Sequence, residues 1–239
     1  MDSGMWRRVL LVLVVLGMEG REVKGSNQEV YKKLCDITGI LSALLNEEKY
    51  SGVTNTLREA LYGGNWQDPF VNGHFTGKCG LVYPPSRSTY CSHIGMGGSG
   101  ATNNHGCFAH SLLGTCLCIC VPGNDRKDYC GLGDNVGKGA SWISWYDDVN
   151  NLFKEVWDKI NQNCTARNTT VGASGLLETL ENAVEGIKKE AQDRKLNKGY
   201  FTLGGTGTSG VCGGTSQGDA CVTYAAKNNI PHIPWADKY

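Results

Sequence analysis

Eleven cysteines in 239 residues, seven of them between Gly73 and Gly139, constrain this chain more than any other feature. In an oxidising compartment such a density is a disulfide framework; in a reducing one it points to metal ligation or catalysis. The N-terminus decides between the two. Trp6-Arg7-Arg8 is a basic patch, and Val9 to Met18 is a ten-residue run without charge. That run is too short for a bilayer core of roughly 30 Å, and it fits the apolar stretch of a secretory leader. Val23 and Gly25 satisfy the small-residue rule at positions −3 and −1, which places cleavage after Gly25, with Gly20 as second choice. Residues 1–25 are read as leader and 26–239 as the ectodomain. Cys35, Cys79, Cys91, Cys107, Cys116, Cys118, Cys120, Cys130, Cys164, Cys212 and Cys221 are then all disulfide candidates. Their odd number leaves at least one thiol free or with its partner elsewhere.

The chain's formal charge is zero, and removal of the leader, with four basic and three acidic residues, makes it −1. A nucleic-acid partner would want a basic stripe, so none is expected. Two N-glycosylation sequons stand downstream, Asn163-Cys164-Thr165 and Asn168-Thr169-Thr170. Asn168, in a polar linker, is the better acceptor, because a glycan at Asn163 competes with bridge formation by Cys164.

Apolar spacing gives the organisation. Val30, Leu34, Ile37, Leu41 and Leu44 form one stripe over 27–47, narrow enough for a coiled-coil-like seam. Cys35 lies beside it, placed to staple this helix to the rest. Val53, Leu57, Ala60 and Leu61 make a shorter helical stretch that stops at Gly63-Gly64. Helical spacing returns at Trp142, Trp145, Val149, Leu152, Val156 and Ile160, and again at Leu177, Leu180, Val184, Ile187 and Ala191, with an end at Lys195–Gly199. Residues 203–219 are rich in Gly, Thr and Ser and read as loop, with Cys212 and Cys221 as a local bridge. Between the helices, 73–139 loses all periodicity and reads as an irregular cross-linked lobe without a large apolar core. Its one strand-like run is Thr115 to Val121, where Cys116, Cys118 and Cys120 alternate with Leu117 and Ile119. Successive sulfurs on one strand face sit about 6.6 Å apart, so they are expected to pair outward and tie three loops to one strand. The fold class is mainly α: an elongated bundle around two long antiparallel coiled-coil-like helices, with the disulfide-rich lobe inserted between them.

Chemistry finds little purchase. His105, Cys107, His110, Cys116 and Cys118 match none of the paired spacings of zinc sites, and the compartment favours oxidation over thiolate ligation. A Cys/His catalytic pair using His93 or His110 meets the same objection. Gly95 to Gly100 lacks the lysine and the helix of a phosphate cradle, and Gly204-Gly205-Thr206-Gly207 precedes no helical pattern. The tryptophans at 142, 145 and 157 lie on helical spacing and read as core. His232 and Trp235 read as an extended exit segment lying on the bundle. No catalytic, cofactor-binding or metal residue is expected.

Four stretches carry a resemblance: Tyr31-Lys32-Lys33-Leu34-Cys35-Asp36; Leu57-Arg58-Glu59-Ala60-Leu61-Tyr62-Gly63; Leu117-Cys118-Ile119-Cys120; and Val211-Cys212 through Ala220-Cys221-Val222-Thr223-Tyr224 to Pro234-Trp235. In that order they resemble the B-type N-terminal domain of trypanosome variant surface glycoproteins, in its short-chain form, over most of 27–239. The resemblance implies a two-helix coiled-coil core and a densely packed surface coat on the plasma membrane. It also implies homodimers, a glycosylphosphatidylinositol anchor, antigenic variation and recognition by host antibodies. Ala236-Asp237-Lys238-Tyr239 shows neither the small-residue site nor the apolar tail of an anchor signal. A truncated product or a secreted relative is therefore expected. The function expected is that of a non-enzymatic coat antigen that shields the parasite membrane and evades immunity. The alternative is a related surface receptor or binding module for a host serum protein. A secreted hydrolase is the third class, for which no nucleophile, base and oxyanion donors converge.

Overall fold

The computed structural model describes residues 27–64, 70–71, 74–76, 86–94, 105–133, 135–137, 140–142, 149–166, 175–196, 199–206 and 209–238. The expected leader and Asn168 lie outside them. Helices dominate. Helix α1 (Gln28–Leu45) buries the whole expected stripe, and also Tyr31, Cys35, Thr38, Gly39 and Ile40. Ten buried positions in eighteen residues exceed what one narrow seam requires. The helix is enclosed from more than one side because it packs against both α5 (Asn150–Thr165) and α6 (Leu176–Gln192). The expected two-helix seam is thus widened into a three-helix core. At 1.5 Å per residue these helices are about 24–27 Å long.

Helix α2 (Thr54–Tyr62) buries Leu57, Ala60 and Leu61 and stops at Gly63, whose φ of 91° suits a residue without a Cβ. Val53 does not join that face and is 46% exposed. Helix α5 buries Leu152, Val156 and Ile160 as expected, together with Phe153, Trp157 and Cys164. It begins at Asn150, so the helical run expected from Trp142 is corrected: Trp142 is buried outside the helix, its backbone N–H donating to the Pro122 carbonyl. Trp145 lies outside the described residues. Helix α6 starts its buried face at Leu176 rather than Leu177, which is 44% exposed. Both residues fit helical spacing to Leu180, and only the packing separates them. The helix ends at Gln192, and Lys195 already belongs to a strand.

The largest correction concerns the cysteine-rich segment. Thr115 to Val121 is not a strand: Leu112–Cys120 form α4, and all nine of its residues are buried. Ser111 caps it, the side-chain oxygen accepting from the Gly114 N–H at 3.0 Å. A Cβ at Gly114 would strike the Phe108 carbonyl, so glycine is what lets the 107–110 turn fold against the helix. Period-2 alternation carried no information because every face of α4 is covered. The segment is no coreless lobe either. Phe70, Tyr90, Trp142 and Phe153 surround Phe108 at ring-centroid distances of 4.9, 4.9, 5.2 and 5.6 Å. This aromatic cluster is continuous with the apolar side chains of α1, α5 and α6.

The sequence read as loop at 203–219 begins inside a sheet. Strands β3 (Lys195–Leu196), β4 (Tyr200–Gly204), β5 (Cys221–Lys227) and β6 (Ile230–Pro231) form a four-stranded antiparallel sheet in that order. Phe201 opposes Tyr224 and Leu203 opposes Val222. Asn228 and Asn229, with φ of 53° and 65°, make the two-residue turn between β5 and β6. A small hairpin of β1 (Phe70–Val71) and β2 (His74–Phe75) closes the aromatic cluster.

Candidate functional site

The disulfides are where sequence and fold meet. Cys35 on α1 is bonded to Cys164 near the end of α5, across 129 residues. Cys91, at the end of α3 (Arg87–Cys91), is bonded to Cys118. Cys120 is bonded to Cys130, and Cys212 to Cys221. Cys107 is also disulfide-bonded, and Cys79 lies outside the described residues. Cys116 is the exception: a free, fully buried thiol, not the bridged sulfur expected. The helix explains it. At 100° per residue, Cys118 points away from Cys116 and Cys120, so the three sulfurs do not share a face. Cys116 meets Thr38 of α1, and burial pushes its thiol up to about 12. It is a small apolar filler, with no thiolate to offer as nucleophile or ligand.

Three polar features whose role no local sequence signal marks organise the interior. Asn27 is buried; its amide donates to the carbonyls of Ile119 at 2.8 Å and Ala220 at 2.7 Å, and its oxygen accepts from the Gly205 N–H. The start of α1 is thereby bound to both α4 and the sheet. Arg87 is fully buried, and its guanidinium donates to the carbonyls of Cys118 at 2.7 Å and Val121 at 2.8 Å. A cation placed on the open carbonyls of a helix C-terminus satisfies orphan acceptors and complements the macrodipole. The Trp142 and Tyr129 rings flank it at 5.3 and 5.9 Å. Burial lowers its pKa to about 10, partly offset by the Tyr129, Asp125 and Asp219 side chains, so it stays charged at neutral pH. The third is the hydroxyl pair Thr115–Tyr224, joined at 2.8 Å and capped by the Trp235 indole N–H. Trp235 is therefore buried in the core, not laid on its surface as expected.

His110 and His105 both lie near His93, and among the described residues no cysteine thiolate joins them. The His93 ring lies parallel to Tyr200 at 6.2 Å, and its Nδ1–H donates to the Thr223 carbonyl at 2.9 Å. Burial, with His110 and His105 nearby, holds it down to about 4. Among the described residues no group of three or more His, Cys, Asp or Glu is placed to hold a metal ion. Gly95 to Gly100 lies outside them. The described residues line, among others, a cavity of about 160 Å³ at Phe70, Leu113, Leu117, Phe153 and Trp157, and an open groove of about 640 Å³ along Leu132, Val136, Glu155 and Asp158. Neither brings a nucleophile, base and anion-stabilising donors together. Asn163 sits in α5 and is part-exposed. No helix among the described residues is long and apolar enough to cross a membrane.

A family model described as the trypanosomal VSG domain, of the B type, matches residues 41–239. The chain belongs to that family. Trypanosomal VSG domains are helical and make up the parasite's surface coat, where they dimerise and act as antigens. The match takes in the end of α1, α2, the hydrophobic helix α4, the long helices α5 and α6, and the closing sheet. No curated protein matches the chain.

Proposed function

We propose that this chain works as a variable coat antigen. It would cover the parasite membrane sterically and evade host antibodies by varying its exposed face. The observation that carries this reading is the VSG-domain match over 41–239. The use of the chain's chemistry supports it. Nine cysteines are consumed in bridges, the remaining described thiol is buried and protonated, and the buried cation serves helix carbonyls instead of a ligand. In this reading residues 1–25 are removed on entry to the secretory pathway, Asn168 carries a glycan, and 26–239 form one ectodomain. Helices α1 and α6 are the counterparts of the family's antiparallel coiled-coil pair, two copies associate, and a lipid anchor of the kind full-length relatives carry would hold the coat to the plasma membrane.

Antibodies raised against the folded ectodomain should stain intact, unpermeabilised parasites, and a membrane-impermeant amine reagent should label the chain on living cells. Staining confined to permeabilised cells would defeat the proposal. Incubation with host serum separates it from a receptor role, because a specific, saturable serum partner would favour the receptor.

A further inference from the structure

The sequon Asn163-Cys164-Thr165 carries two chemistries that the fold sets against each other. A glycan acceptor must present its asparagine amide, with the third-residue hydroxyl beside it, in an open segment that a transferase can reach. In the folded chain all three residues lie in the last turn of α5. Cys164 is fully buried and bonded to Cys35. The Thr165 hydroxyl donates to the Asn161 carbonyl at 2.7 Å, so it is turned away from Asn163. Cys35 precedes Cys164 by 129 residues, so its thiol is already present when Cys164 is made.

We infer that closure of the Cys35–Cys164 bridge switches Asn163 off as a glycan acceptor, so that this sequon is modified only on chains that have not yet closed it. The inference rests on the secretory-ectodomain reading. In the transfer, the Asn163 amide nitrogen bonds to the anomeric carbon of a lipid-diphosphate-linked oligosaccharide and loses one proton. The lipid diphosphate leaves with the electron pair of the broken C–O bond. In the competing step, the Cys35 and Cys164 thiols are oxidised by exchange with a disulfide carrier, which departs as the dithiol. Once that step docks α5 on α1, the tripeptide is helical and its middle residue inaccessible. The race is one-way: a closed bridge excludes the sugar.

The test is glycopeptide mass spectrometry, without reduction, on the full chain secreted from trypanosome cells. Wild-type protein should yield the Cys35–Cys164 peptide with Asn163 bare or sparsely modified, and Cys35→Ser should raise Asn163 occupancy at least severalfold. Trp235→Ala is the control for general destabilisation, because Trp235 is made after the sequon and its loss leaves both bridge partners intact; Asn163 occupancy should stay at the wild-type level. High wild-type occupancy on bridged peptide overturns the inference, as does occupancy indifferent to Cys35→Ser or raised equally by Trp235→Ala. Occupancy at Asn168 reports the underlying reading. If Asn168 is modified and the leader removed while Asn163 fails these expectations, only the gating inference falls. If neither sequon is modified and the leader is retained, the secretory reading falls with it.

Discussion

Trp235 donates its indole N–H to the Thr115 hydroxyl at 3.0 Å, joining the end of the chain to the middle of α4 across 120 residues. The same hydroxyl donates to the Ser111 carbonyl at 2.9 Å and meets Tyr224 OH at 2.8 Å, so one buried threonine serves helix, sheet and C-terminal segment together. Ion pairs Lys238–Glu59 at 3.1 Å and Lys188–Asp237 at 3.1 Å lie outside it. Being exposed to water, they add little. The segment is anchored by its buried side chains, Ile233, Trp235 and Ala236.

Trp235→Ala should therefore cost about 3–5 kcal/mol through lost burial and a residual cavity. Thr115→Val should cost about 1–2 kcal/mol, since the indole keeps the Tyr224 hydroxyl at 3.3 Å as a second acceptor. Combined with Tyr224→Phe, Thr115→Val should cost more than the sum of the two, because only the double variant strips the buried indole N–H of both its acceptors. Urea unfolding measures all of these; additive costs would mean the cluster is no cooperative unit.

Arg87 predicts a sharper loss. Arg87→Leu keeps apolar bulk but strands two carbonyls at the end of α4, and should destabilise by about 3 kcal/mol or more. Arg87→Lys should not restore stability, because one ammonium cannot span the Cys118 and Val121 oxygens with a planar fork. Full stability in the lysine variant would show that charge alone suffices.

Legibility differs between elements for physical reasons. Helix α1 was readable because its polar positions interrupt a 3–4 residue apolar rhythm; its extra buried face was not, since Tyr31, Thr38 and Gly39 are not strongly apolar. In α4 every position is buried, so no polar face remained to reveal the period, and the Cys–Leu–Cys–Ile alternation imitated a strand. Strands β4 and β5 are five and seven residues long and set among glycines, which hid the Tyr-Phe-Thr-Leu and Val-Thr-Tyr runs. Asn27 and Arg87 are polar residues chosen for carbonyls that become neighbours only after folding, and no local signal marks them. For the coat assignment, the order of short motifs was the readable part.

His93 sets an acid limit. Its folded pKa of about 4 lies below the ordinary 6.5, so the fold favours the neutral ring. Stability is complete above pH 6.5 and falls as pH drops from 6.5 towards 4, where the unfolded chain binds the extra proton. The full loss is about 3 kcal/mol, at 1.36 kcal/mol per pKa unit. His93→Asn should flatten this window. Equal acid sensitivity in wild type and variant, followed by urea midpoints from pH 7.5 to 4.5, would remove His93 as the cause.

Leu34 and Leu41 lie fully buried on α1. Leu34→Asp or Leu41→Asp should each destabilise by several kcal/mol, since an unpaired carboxylate would be driven into the three-helix core. A melting temperature unchanged by both substitutions would place that face in water.

The placement of α4 in the common core decides how the fold responds to reduction. A coreless lobe would have loosened first on reduction while the helices survived. With α4 inside the common core and Cys35–Cys164 joining α1 to α5, reduction should weaken the whole fold in one transition. The bridges should also differ in weight. In the chain-entropy model, closing a loop of 129 residues is worth about 5 kcal/mol, and one of nine residues about 2.6. Cys35→Ser should thus destabilise nearly twice as much as Cys212→Ser. Cys116, its thiol pushed up to about 12 and sealed against Thr38, should resist alkylation in the native protein. It should react once denaturant opens the core, with no reductant present. Non-reducing peptide mapping should recover Cys91–Cys118 and Cys120–Cys130 together with that one thiol. Several free thiols, with an ion whose removal by chelator unfolds the protein, would instead mean that this segment is held by metal and not by disulfides.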